Sequence, residues 1–85
     1  MNQFELLAQK LGNPNLLSAN NSTFNSACRQ AISYYLNLKG YSSTYIAKLQ
    51  GKERSTVIKQ IKMFKNLLSM KDKLAIELWN KLNDI

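Results

Sequence analysis

Apolar residues in this chain recur at intervals of three and four and nowhere sustain a strict alternation, which leaves the amphipathic helix as its one regular element. Phe4, Leu7, Ala8 and Leu11 make a first apolar face, ended by Gly12 and the Asn13-Pro14 pair. "NPNLLSANNSTFNS" reads as a loop that wraps Leu16 and Leu17 onto the core, and it is expected to be the most variable segment. From Thr23 or Phe24 to Lys39 the periodicity predicts a second helix. Cys28, Ala31, Tyr35 and Leu38 line one face of it, and Phe24, Ile32 and Leu36 widen that face into the stripe of a central helix. Gly40 closes it as a C-terminal cap. Ser42 or Ser43 caps a short third helix that buries Ile46, Ala47 and Leu49 and stops at Gly51. A fourth helix starts between Glu53 and Ser55 and runs to about Leu68, with Val57, Ile61, Phe64 and Leu68 inward and Ser55, Lys59, Lys62 and Asn66 outward. A fifth, from about Lys71 to Leu82, buries Leu74, Leu78, Trp79 and Leu82. The expected fold is an all-α bundle of about five helices.

Eighty-five residues suffice for one small domain, here residues 1–22 as an N-terminal helix and loop and 23–85 as the remaining helices. Twelve Lys or Arg against five Asp or Glu give a formal charge of +7. The stretch from Lys39 to Lys73 holds nine bases and two acids and carries the whole excess. So uneven a charge points to a polyanionic partner, nucleic acid first.

Several function classes drop out on composition. With no His and one Cys, the usual hydrolase pairings of nucleophile and base and the usual zinc sites cannot be built, and the five carboxylates show no acid–base spacing. No enzyme activity, cofactor or metal is expected. The start "MNQFELLAQKLG" has neither the basic lead nor the apolar run of a signal peptide, and no apolar run reaches the length of a membrane span. A cytoplasmic, nucleoid-associated protein without membrane association is expected.

A short helix, a turn with glycine and a longer amphipathic helix together make a helix-turn-helix, whose second helix presents its N-terminal residues to base edges in the major groove. Here those residues are Glu53, Arg54, Ser55 and Thr56, with Lys52 before them. Arg grips guanine O6 and N7 at two points, and Ser and Thr serve several bases. Lys52, Lys59 and Lys62 fall where phosphates pass, and Ser43 and Lys48 on the third helix join them as expected backbone contacts.

The segment "CRQAISYYLNLKGYSSTYIAKLQGKERSTVIKQIKMFKNLL" resembles the C-terminal DNA-binding domain of the bacterial replication initiator DnaA, a fold related to the Trp repressor. The shared landmarks are Arg29-Gln30 ahead of Tyr34-Tyr35-Leu36, the serine-capped "YSSTYIAKLQG", "KERSTV" at the family's signature, and the closing "KDKLAIELWNKL". The resemblance covers Arg29 to Leu82. It implies that the residues at Glu53, Arg54, Ser55 and Thr56 read bases, that Lys52 contacts phosphate, and that Arg29 lies at or beside an arginine that enters the minor groove.

Departures from the family pattern narrow this. Glu53 stands where the family has a capping aspartate, which makes Ser55 the candidate to take over the cap, and Arg54 replaces a histidine and so favours guanine or phosphate. The ATPase module is absent, so origin melting by this chain alone is excluded. The leading expectation is therefore sequence-specific binding of double-stranded DNA by a small regulator or replication accessory. A homodimer would space two reading helices one DNA turn apart; the Phe4–Leu11 helix is a candidate for that contact, against its plainer reading as a lid on the core. The alternative is a module that binds or antagonises a replication or transcription protein and has only non-specific DNA affinity. RNA binding ranks lower, because Tyr34, Tyr35, Tyr41 and Tyr45 fall where packing accounts for them.

Overall fold

The computed structural model describes residues 2–83, and among them it is all helical, with no strand. Five α-helices follow one another: α1 (Gln3–Lys10), α2 (Thr23–Leu38), α3 (Ser43–Gln50), α4 (Arg54–Ser69) and α5 (Lys73–Leu82), with a 3-10 turn at Leu16–Ser18. The helical periods and their order are as the sequence predicts.

The helix starts are set by side chains that accept the first free amide hydrogens. Asn2 and Glu5 form a reciprocal capping box on α1, Ser22 caps α2, Ser42 caps α3 and Asp72 caps α5. At α4 the cap residue is Glu53, whose side chain makes no capping bond, and Ser55 already lies inside the helix, so the expected cap by Ser55 does not form. The last helix begins later than its periodicity suggests because Lys71 takes a left-handed conformation (φ 57°), which breaks the chain direction before Asp72 restarts it.

α2 is the hub, packing most extensively on α4 and also on α5, α3 and α1. Its buried face is made of small and medium residues, Ala27, Cys28, Ala31, Ile32 and Leu36, which lets its neighbours approach closely. Phe24 and Leu38, expected on that face, are 43% and 60% exposed, because they occupy the two ends of α2. Across the core stand Phe4 and Ala8 from α1, Leu16 from the loop, Ile46 from α3, Val57 and Phe64 from α4, and Ala75, Leu78 and Leu82 from α5. Leu74 and Trp79, expected to be buried, are half-buried, and Ala75 takes the interior position on α5. Tyr34, Phe64 and Trp79 form an aromatic seam between α2, α4 and α5, with ring centroids 5.3 to 6.0 Å apart in tilted pairs.

The N-terminal helix serves as a lid. Phe4, Ala8 and Leu11 are buried, Asn2 Nδ2 donates to the Leu49 carbonyl at 2.9 Å, and Lys10 Nζ donates to the Leu82 carbonyl at 3.1 Å. Gln3 donates to the Tyr41 hydroxyl and accepts from the Tyr45 hydroxyl, and the two rings are stacked 5.2 Å apart. These contacts tie α1 to α3, to Tyr41 ahead of it and to the end of α5. Cys28 is fully buried, and burial pushes its thiol above the ordinary value of 9.0.

Candidate nucleic-acid interface

Only three residues separate α3 from α4, and Gly51 among them is left-handed at φ 69°, a conformation that costs a side-chain-bearing residue about 1 kcal/mol. The glycine amide closes the end of α3 by donating to carbonyls one turn back. The chain then extends through Glu53 before α4 begins. Val57 and Phe64, both fully buried, hold α4 against α2, and this leaves the opposite side of α4 in solvent.

The angle between α3 and α4 is fixed by a polar ring. Gln50 closes α3 and Gln60 lies two turns into α4; each donates its amide to the other's carbonyl, at 2.9 and 2.7 Å. Ser33 of α2 donates to Gln60 at 2.7 Å and accepts from Gln50 at 3.2 Å. Ser33 and Gln50 are buried, so the ring substitutes for water at the point where the three helices meet. Periodicity does not reveal it, since the signal is three uncharged polar residues at interior positions whose partners become neighbours only after folding.

The sequence-predicted contact residues fall into two groups. Lys52, Glu53, Arg54 and Ser55 are exposed at the turn and the first turn of α4, with Thr56 half-buried beside them. Arg54 leans toward α3, where its Nε donates to Ser43 Oγ at 3.3 Å; Ser55 faces outward; Thr56 faces a cleft against α2. Further along the same exposed side lie Lys59 and Lys62, and Lys48 is exposed on α3. Among these residues Glu53 is the one acid.

Arg29 is not among the exposed residues of this surface. It is 4% exposed, and its guanidinium donates to the carbonyls of Leu16, Ala19 and Asn20 and to the side-chain oxygen of Asn21, at 2.6 to 3.3 Å. The arginine expected in a minor groove instead clasps the loop before α2, because that loop turns four oxygens inward at the height where Arg29 leaves the helix. Its Nε has no partner among the described residues. The same clasp tethers the loop that the sequence marks as most variable.

Among the described residues no three His, Cys, Asp or Glu side chains gather as metal ligands, and no helix is long and apolar enough to cross a membrane. No family model, curated protein or solved structure matches the chain.

Proposed function

We propose that this protein binds double-stranded DNA, with α3, the Gly51 turn and α4 acting as a helix-turn-helix and the first turn of α4 reading bases in the major groove. The observation that carries this reading is the continuous exposed strip from Lys52 through Arg54 and Ser55 to Lys59 and Lys62, mounted on a helix whose other side is locked into the core by Val57 and Phe64. A rigid helix presenting a charged fork and a hydroxyl at its start, then cations one and two turns later, has the layout of base contacts followed by backbone contacts. The resemblance of this segment to the DnaA C-terminal domain supports the same docking. The buried position of Arg29 removes a minor-groove contact from the scheme, so sequence preference rests on α4.

Selection of bound sequences from a randomised duplex library at near-physiological salt tests the proposal, run beside an Arg54→Ala, Ser55→Ala double variant. A defined motif that the variant loses is the expected result. Retention without a motif, vanishing as salt rises, overturns base reading. It would favour the second reading, a protein-interaction module, for which the exposed Met63 (53%) and Met70 (69%) on and after α4 supply adaptable apolar contact.

A further inference from the structure

A cleft of about 310 Å³ opens between the first two turns of α2 and those of α4. Ser26, Arg29 and Gln30 line it from α2, Thr56 and Gln60 from α4, and Lys52 from the turn; among the described residues no carboxylate lines it. Every one of these side chains offers a hydrogen-bond donor, and two of them are cationic.

The charge balance around Arg29 gives the cleft its chemistry. Removing a guanidinium from water is costly unless a counter-charge or a full set of acceptors replaces the lost hydration. Arg29 has four neutral acceptors, no carboxylate among them, and an Nε with none. Among the described residues no carboxylate bonds to it, so its positive charge borders a cleft that also holds Lys52 and the hydroxyls of Ser26 and Thr56. At roughly 30 Å³ for each water, the space takes a tetrahedral oxyanion together with several waters.

We propose that this cleft is a seat for a phosphate group, held by Lys52, Thr56 and the Gln30 and Gln60 amides, with Arg29 beneath it as a buried counter-charge. Phosphate answers the donor set, since its oxygens accept several hydrogen bonds at once and it carries the charge that Arg29 lacks nearby. The group has two sources of the same chemistry, a backbone phosphate of a duplex or a free phosphorylated molecule. The first source rests on the DNA reading above; the second does not.

Titration of the isotope-labelled full chain with inorganic phosphate, against sodium chloride at equal ionic strength, tests the seat by amide chemical shifts. Saturable shifts confined to Lys52, Thr56 and the side-chain amides of Gln30 and Gln60, lost in Lys52→Gln, are expected. Lys52 is exposed, so that variant keeps its fold, and a thermal melt checks this. Shifts that match chloride, or that persist unchanged in Lys52→Gln, overturn the proposal. Duplex competition then separates the sources. If phosphate displaces duplex, and Lys52→Gln flattens the slope of log affinity against log salt by about 0.9, the seat takes a backbone phosphate. If phosphate saturates while duplex stays bound, the seat serves a free phosphorylated ligand. If phosphate saturates and no duplex binds at any salt, the seat stands and the DNA reading falls.

Discussion

Arg29 shows how far a single side chain's role depends on what surrounds it. Its guanidinium bridges two pairs of loop oxygens, which needs a planar fork with donors on both terminal nitrogens. Replacement by Met keeps the stem but strands those oxygens, and urea denaturation is expected to show a loss of about 2–4 kcal/mol. Arg29→Lys is expected to recover little of this, because one ammonium cannot span both pairs. A preserved midpoint in Arg29→Met would mean that the loop holds itself. Nothing local in the sequence distinguishes this inward arginine from an outward one: it pairs with no acid, and its acceptors are mainly backbone carbonyls, which every residue has.

At the scale of helices, α4 is the element with an unfinished start. Glu53 occupies the cap position with an extended backbone, yet its side chain makes no bond to the first amides. Aspartate is one methylene shorter and caps well, so Glu53→Asp is expected to stabilise the fold by about 0.5–1 kcal/mol. Scanning calorimetry should register this as a rise of roughly 2–8 °C in Tm. The ring of Ser33, Gln50 and Gln60 predicts the opposite kind of result. Gln50→Leu and Gln60→Leu should each cost about 1–3 kcal/mol, while the double variant costs clearly less than both together, since it removes both halves of one reciprocal pair. Simple additivity in that cycle would show that the two amides act independently. Helix number, order and most boundaries were legible because spacing and glycine positions carry them. The late start of α5 was not, since Lys71 adopts a conformation that its residue type disfavours, and the exposure of Phe24 and Leu38 depends on where neighbouring helices stop.

Taken whole, the molecule is a core with its surplus charge on one run of the chain, Lys39 to Lys73. On the proposed reading five or six of these bases neutralise phosphates, so log affinity for duplex should fall with log salt at a slope of about −5, measured by fluorescence anisotropy. A slope near −1 would mean that the exposed strip does not lie along a DNA backbone. The basic run and the exposed polar start of α4 were legible in the sequence; the cleft beside them was not, because it joins residues from two helices that only the packing of α2 on α4 brings together. The ring that sets the angle between α3 and α4 has a consequence for acidity. Amides and a serine hydroxyl do not titrate, the chain has no histidine, and burial keeps the Cys28 thiol protonated. The ring therefore holds the two helices at one geometry through groups that neither gain nor lose a proton. On the proposed reading, duplex affinity should change by no more than about twofold between pH 6 and 7, whereas a threefold rise in salt at the slope above lowers it roughly two hundredfold. Such a protein would register the ionic content of its surroundings and be nearly blind to their pH.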